Sequence, residues 1–261
     1  MGVLDEIVAH KRSELAELKP RRPLPDLIAA CRGLAPARNF EAALRPPPGE
    51  RVRLIAEVKR GSPSQGPIRP DADVVATAEA YELGGATCLS VLCAERDFGG
   101  SVDDLAAARR AVSIPAIAKD FTVFPEQVAR QRLAGADAIL VILAMVTDDE
   151  ARRLMATAAL LGMDTLVEVH TAEEAERAVL LEAPLVGVNA RDLQTLEIDR
   201  DRQLALLRGL PEDRIRVAES GIAGRQDVIA ARDAGADAVL VGTALMRDPA
   251  LLVDLVAVER A

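Results

Sequence analysis

Cysteine is scarce in this 261-residue chain: Cys31, Cys88 and Cys93 are the whole set, and no two stand at CxxC spacing. An odd, dispersed trio argues against a disulfide framework or a zinc site and fits a reducing cytosol. Histidine is scarcer still, with only His10 and His170. His10 sits among charges, a solvated position; His170 closes a strand-like run, where a helix-start or loop role is expected. No His/Asp/Glu group has metal-ligand spacing and no GxGxxG follows a strand-like run. Neither a metal nor an organic cofactor is expected. Positive charge is in deficit: the net charge is −9 and the pI is near 5.0, a poor match for nucleic acid or anionic lipid. An anionic small molecule stays compatible, because a site can be locally basic in an acidic protein. Long apolar runs are missing too. The longest, residues 138–146, falls well short of the about 20 residues a membrane span needs. The opening MGVLDEIVAHKRSELAELK is charged throughout and has no signal-peptide core. Together these absences lead to the expectation of a cytoplasmic protein with a small anionic substrate and no nucleic-acid or membrane partner. Monomer and weak homo-oligomer both stay open.

What is present divides at about residue 50. In residues 1–50, Leu4, Ile7, Val8, Leu15 and Leu18 recur at helical spacing with Glu and Lys between them. Pro20, Pro23 and Pro25 stop that helix, and short helices are expected over 26–32 and 39–44. The run Arg45-Pro46-Pro47-Pro48-Gly49-Glu50 suits neither helix nor central strand. It reads as the junction between an N-terminal helical extension, 1–50, and the main body, 51–261.

The main body alternates with a short period. Strand-like apolar runs fall at 53–59, 87–92, 115–120, 138–143, 165–170, 185–190, 214–220 and 238–242, with helix-like stretches such as 102–111, 125–134, 148–161 and 172–182 between them. Eight alternating βα units in about 200 residues predict a closed (β/α)₈ barrel of the TIM type, forming one structural domain with the extension. An internal echo accompanies the alternation: AGADAILV from Ala134 returns as AGADAVLV from Ala234, and Gly85-Ala86-Thr87 is a weaker copy. Each Gly is expected to end a helix in the left-handed conformation.

Side chains alternate across a strand. In the first run Ile55, Glu57 and Lys59 share one face; the other face, Ala56 and Val58, suits packing on helices. By the same test Lys119 points inward with Ile117, Glu168 with Leu166, Asn189 with Gly187 and Glu219 with Val217. Active sites of this fold lie at the strands' C-terminal ends, where these polar residues fall. Glu57, Lys59, Lys119, Glu168, Arg191 and Glu219 make three charges of each sign, a set able to pair. Phosphate is suggested by Gly61-Ser62-Pro63-Ser64 after the first run, Glu219-Ser220-Gly221-Ile222 after the seventh and Val241-Gly242-Thr243 after the eighth. Free amides and helix N-termini at the last two strands favour an anion. Phe98 and Phe121 follow the second and third runs and could wall an aromatic substrate group.

These residues also carry a resemblance. The stretches IAEVKRGSPSQGPI (55–68), FGGS (98–101), AKDF (118–121), LVEVH (166–170), GVNARDLQTLEID (187–199), VAESGI (217–222) and VGTALM (241–246), in this order and spacing, resemble indole-3-glycerol phosphate synthases. The opening IVAHKRSEL is similar to that family's first helix. The resemblance implies ring closure, decarboxylation and dehydration of 1-(2-carboxyphenylamino)-1-deoxyribulose 5-phosphate. It implies Lys119 as general acid toward the ribulose carbonyl and Glu168 as acid/base partner. It further implies Lys59 for substrate anions and dehydration, Glu57 to hold the lysines and a substrate hydroxyl, and Asn189 to position the substrate, with Arg191 nearby. Ser62, Ser220, Gly221, Gly242 and Thr243 would surround the phosphate, and Phe98 and Phe121 the ring. Cys93, Gln65 and Thr243 depart from the family's usual Thr, Lys and Ser.

Rival readings are an aldolase using Lys59 or Lys119 as a Schiff-base nucleophile, a phosphoribosyl-anthranilate isomerase, and a phosphate-binding subunit without catalysis. The extension and the Glu57/Lys59 pair argue against the isomerase, and the intact charged set against loss of catalysis.

Overall fold

The computed structural model describes residues 3–18, 22–45, 47, 50–62 and 65–259. Pro20, Pro46, Pro48, Gly49, Pro63 and Ser64 lie outside the described residues, as do the side chains of Leu4, Leu15 and Leu18. The predicted strand runs become β1 (Arg53–Val58), β2 (Cys88–Leu92), β3 (Ala116–Lys119), β4 (Ala138–Ile142), β5 (Asp164–Val169), β6 (Leu185–Asn189), β7 (Ile215–Glu219) and β8 (Ala238–Val241). They close a barrel in the order β1-β8-β7-β6-β5-β4-β3-β2, and every pairing is parallel. Both faces of these strands are buried, one on the barrel interior and one on the helical shell. Such strands read as continuous apolar runs.

The helices are α1 (Val3–Leu18), α2 (Leu24–Cys31), α3 (Phe40–Leu44), α4 (Val74–Leu83), α5 (Glu95–Phe98), α6 (Val102–Ala111), α7 (Pro125–Leu133), α8 (Asp148–Leu160), α9 (Ala172–Leu180), α10 (Arg200–Gly209), α11 (Arg225–Asp233), α12 (Thr243–Arg247) and α13 (Leu251–Val256). Side-chain caps set several starts. Ser101 accepts from Asp104 N at 3.0 Å, Thr147 and Glu150 form a capping box at α8, and Thr171 accepts from Glu174 N at 3.2 Å. Each cap satisfies an amide that has no partner one turn earlier. The loops above the strands can therefore be short and fixed. The predicted second and third helices shift slightly, to Leu24–Cys31 and Phe40–Leu44. Pro25 fits inside the first turn of α2, where a missing N–H costs nothing, and Asn39 is the cap of α3 rather than its first residue, accepting from Ala42 N at 2.6 Å.

The echo has a mechanical meaning at the bottom of the barrel. Gly85, Gly135 and Gly235 have φ of 94°, 96° and 95°, each turning the chain from helix into strand. Two residues later a side chain reaches back to the preceding strand. Asp137 Oδ2 accepts from Ala116 N at 2.9 Å, Asp237 Oδ2 from Arg216 N at 2.8 Å, and Thr87 Oγ1 from Leu54 N at 3.3 Å. The repeated motif pins strand register.

The first 45 residues touch both ends of the barrel. At the strands' C-terminal end, the Lys11 ammonium of α1 lies 3.3 Å from Asp120, and Arg12 lies 3.1 Å from Glu150. At the other end Phe40 and Leu44 of α3 are fully buried. There Arg38 N donates to Asp137 at 2.7 Å and Glu41 N to Asp164 at 2.9 Å.

Candidate active site

Register assembles a polar ring at the C-terminal end of the strands. Glu57 stands opposite Ser90, Leu92 opposite Lys119, Ile142 opposite Glu168, Glu168 opposite Gly187, and Asn189 opposite Glu219. Glu57, Leu92, Lys119, Ile142, Glu168, Asn189 and Glu219 line a cavity of about 400 Å³, a size suited to a small organic molecule. All fourteen residues singled out from the sequence reach its wall: Glu57, Lys59, Ser62, Phe98, Lys119, Phe121, Glu168, Asn189, Arg191, Glu219, Ser220, Gly221, Gly242 and Thr243. Ser62 reaches it from a two-residue antiparallel ladder, Gly61–Ser62 with Gly66–Pro67.

The charges pair in two groups. Lys59 Nζ lies 2.8 Å from Glu57 Oε1, and Ser90 Oγ donates to Glu57 Oε2 at 3.2 Å. Across the cavity Lys119 bridges two carboxylates, donating to Glu168 Oε2 at 2.8 Å and also to Glu219 Oε2. Asn189 Nδ2 donates to Glu168 Oε1 at 3.0 Å. Arg191 does not join these pairs as the charge count predicted. Its Nη1 donates to Leu196 O at 2.7 Å and its N to Asn189 Oδ1 at 2.9 Å, because the loop after β6 folds back and takes the guanidinium. Burial lowers the Arg191 pKa, so this cation faces the cavity with little compensation. The third cation on the carboxylates is His170. Its Nε2 lies 3.3 Å from Glu168 Oε1 and its Nδ1 3.3 Å from Glu174. The ring is buried, and His170 stands just before the Thr171 cap of α9, the helix-start position expected from the sequence.

Protonation follows from burial against charge. Burial works against the Lys119 cation, but Glu168, Glu219 and Glu57 outweigh it and raise its pKa. Burial pushes Glu168 up, yet Lys119 and His170 outweigh that and hold it below the usual carboxylate range. Glu219 is pushed up to about 8, by burial first and then by the Glu168 charge against the relief from Lys119. Its Oε1 is buried without a partner, an arrangement that favours the neutral acid. His170 is raised to about 9, because contacts with Glu168 and Glu174 outweigh its burial. The two carboxyls beside Lys119 are thus driven in opposite directions, Glu168 toward its ionised form and Glu219 toward its protonated form.

The cavity has an apolar flank and a flank of glycine and hydroxyl residues. Phe98 and Phe121 rings meet at a centroid distance of 6.0 Å and an angle of 43°, with Leu92, Leu140 and Ile142 of the barrel and Ile7 of α1 nearby on the wall. Opposite them, Ser220 and Gly221 have φ of 64° and 72°, and Gly242 caps α12 at its N-terminal end. A Cβ on Gly242 would overlap Glu57 Oε1, and one on Gly187 would overlap Glu219 Oε1; both glycines make room for a site carboxylate. Gln65 accepts from Arg247 Nη2 at 2.8 Å, so a lysine at position 65 would face a guanidinium. Cys93 does not line the cavity; its thiol donates to Val91 O at 3.4 Å.

Sequence reasoning did not single out Ser90, Arg247 or Ile7, and it set His170 next to Glu168 without giving it a part in the chemistry. His170 had a usable signal, since it stands two residues beyond Glu168 on the same strand face. Ile7 and Arg247 had none, because their approach depends on how distant segments cross the mouth.

A family model described as indole-3-glycerol phosphate synthase matches residues 4–255. The chain is 47% identical over 257 residues to the indole-3-glycerol phosphate synthase of Mycobacterium avium (strain 104), covering 97% of this chain and 93% of the relative. It is 46% identical over 262 residues to that of Kineococcus radiotolerans, covering 98% and 96%. For that of Nocardioides sp. the values are 49% over 252 residues, covering 95% and 94%. A solved structure of thiamine phosphate pyrophosphorylase from Pyrococcus furiosus superimposes with a TM-score of 0.57 at 16% identity, covering 78% of this chain and 93% of that one. That likeness concerns the barrel fold alone.

Proposed function

Because the chain belongs to the indole-3-glycerol phosphate synthase family, a family of carboxy-lyases in tryptophan biosynthesis, we propose that the Lys119–Glu168–Glu219 cluster carries its proton transfers. The substrate is 1-(2-carboxyphenylamino)-1-deoxyribulose 5-phosphate. The observation that carries the reading is Lys119 held between two buried carboxylates in the cavity that also holds Ser220, Gly221, Gly242 and Thr243. The phosphate seats on those residues and Ser62, with Lys59 and Arg191 supplying positive charge. The carboxyphenyl ring lies against Phe98 and Phe121. Anchoring the two ends holds the ring carbon against the ribulose carbonyl. Positioning of this kind is worth up to about 7–11 kcal/mol in favourable intramolecular cases.

Lys119 then hydrogen-bonds the carbonyl and gives it a proton as the new C–C bond forms. A lysine clamped by two anions is a reluctant donor. The proton carried by Glu219 removes one of those anions and brings Lys119 closer to transfer. Loss of CO₂ restores the aromatic ring. Dehydration follows: Glu168 accepts a proton from the former ribulose C1 methylene beside the ring nitrogen, and Lys59, steadied by Glu57, assists departure of the hydroxyl as water. Asn189 keeps Glu168 aimed.

The direct test is an indole fluorescence assay with this substrate. The chain has no tryptophan, so product emission rises over a low background; no emission change with fully folded protein would refute the reading. Borohydride trapping of a substrate adduct would point instead to a Schiff-base aldolase. The pH profile supplies a second check. Glu219 must stay protonated, so kcat is expected to fall as pH rises through about 8, and Glu219→Gln is expected to remove that limb. An unchanged limb in the variant would assign it to another group.

The extension is the third element. Removal of residues 1–22 takes away Ile7 and the Lys11–Asp120 contact while sparing α2 and α3. KM is expected to rise about tenfold, with Tm within a few degrees of the full chain. Removal of the first 45 residues also strips Phe40 and Leu44 from the core and is expected to lower Tm as well. An unchanged KM in the shorter truncation would show that α1 does not help to form the substrate wall. The three free thiols, two of them buried, suit a reducing cytoplasm, and the protein acts there as a monomer or weak homo-oligomer.

A further inference from the structure

Glu168 meets four neighbours: Lys119 from β3, Asn189 from β6, Glu219 from β7 through the shared lysine, and His170 from the end of its own strand. Only Lys119 and His170 carry positive charge. On the reading above, Lys119 gives its proton to the substrate carbonyl. At that moment a fully buried carboxylate loses its principal counter-charge, and Asn189 offers a dipole but no charge. An uncompensated buried anion is costly and takes up a proton instead. Glu168 would then be neutral before the later step in which it must act as a base.

His170 occupies the place that prevents this. It lies 3.3 Å from Glu168 Oε1, the oxygen that does not hold Lys119. It is anchored from behind by Glu174 in the first turn of α9, which accepts from His170 N at 2.7 Å and lies 3.3 Å from the ring Nδ1. Glu174 is itself fixed by its amide donating to Thr171. Other charges on the packed elements are engaged elsewhere. Arg177 of α9 pairs with Asp148 of α8 at 2.8 Å and donates to Leu143 O and Val146 O. The Glu168–His170–Glu174 row therefore has one cation held between two carboxylates, and that cation stays in place whatever Lys119 does.

We propose that His170 is a positioning residue that keeps Glu168 ionised while Lys119 is engaged with substrate, and that Glu174 holds the imidazole in place and charged for this purpose. This inference rests on the assignment of Glu168 as the base of the later proton transfer. His170 touches neither substrate nor reacting atoms. It acts through Glu168. The raised affinity of the ring for its second proton agrees with that arrangement, because the imidazolium persists across the neutral range.

Two variants test it from opposite sides of the pH profile. His170→Asn removes the charge. The kcat is expected to fall 10- to 30-fold with KM within twofold. The acid limb of kcat is expected to move up by about one pH unit, because Glu168 binds a proton more readily without the cation. Glu174→Gln keeps a polar partner but drops the second carboxylate. The imidazole then loses its charge nearer neutrality, and the alkaline decline in kcat is expected to begin about one pH unit below that of the wild-type protein. The proposal is overturned if both variants lower kcat by one factor at all pH values, the pattern of a purely structural contact. It is equally overturned if either folded variant keeps the wild-type profile. Should His170→Asn fail to fold, Glu174→Gln decides alone. Full activity in Glu168→Gln would instead remove the premise, a result separable from either outcome above.

Discussion

Lys119→Ala is expected to lower kcat by about 10³-fold or more while leaving a folded barrel, with far-ultraviolet circular dichroism unchanged. General acid catalysis by one side chain is worth about 10²–10⁴, and Lys119 also separates two carboxylates that would otherwise face each other. Without it, Glu168 and Glu219 keep only His170 and Asn189 for compensation. Glu219 already favours its protonated form, and without the ammonium Glu168 also binds a proton more readily, so the base is weakened along with the loss of the acid. The pair would behave as two carboxylates sharing one proton. Stability gives a second readout with a definite sign. A carboxyl whose folded pKa lies above its unfolded value of about 4.5 costs the fold stability as pH rises through the interval between the two. The Tm deficit of the variant is already present at pH 5, because the Lys119 charge that lowers Glu168 is gone, and is expected to widen toward pH 9. A kcat within tenfold of wild type would remove Lys119 from the mechanism, and a deficit independent of pH would contradict the coupling of the two carboxylates.

The second large effect is placed at the proposed phosphate site. Gly242→Ala is expected to lower kcat/KM by about 10²-fold. The first amides of α12 have no partner one turn earlier in the helix, and the proposed phosphate site relies on them as donors. A Cβ on Gly242 would overlap Glu57 Oε1 and approach Lys59 Nζ at 3.1 Å. Either the Glu57–Lys59 pair moves or the start of α12 moves, and the cradle distorts in both cases. Hydrogen bonds to charged groups are worth about 1.5–3 kcal/mol each. One or two of them account for the expected loss, since about 1.4 kcal/mol is tenfold. Inhibition by inorganic phosphate separates the causes. A raised Ki with little change in kcat marks damage to the cradle; a normal Ki with reduced kcat marks displacement of Glu57 and Lys59. No change in either would show that the glycine is not needed for the site.

Much of this architecture was legible because a strand buried on both faces leaves an unbroken apolar run, and because charged residues interrupt those runs only near their ends. The eight strands fall within one or two residues of the predicted runs, and the polar residues of alternate parity do converge. Caps carried local information as well: Ser101, Thr147 and Thr171 announce the helices they start. The echo at Asp137 and Asp237 was visible as a repeat, although its purpose, holding an amide at the start of the preceding strand, could be read only from hydrogen bonds that cross between units.

Partnership was less legible. A count of three charges of each sign suggested that Arg191 would join the acids, yet the backbone carbonyl of Leu196 takes it, and His170 supplies the positive charge instead. The sequence could not rank these, because each depends on where the loop after β6 folds relative to β5. The same holds for Ile7 on the cavity wall and for α3 beneath the barrel, since both depend on where distant segments settle.

Sequence by itself determined the barrel, the faces of its strands and which end would carry polar side chains, because alternation and capping are properties of neighbouring residues. Tertiary structure decided which charges pair, which carboxyl keeps a proton and which glycines must lack a side chain. Those outcomes depend on distances between separate strands and on the exclusion of water, and neither is encoded in any short stretch of chain.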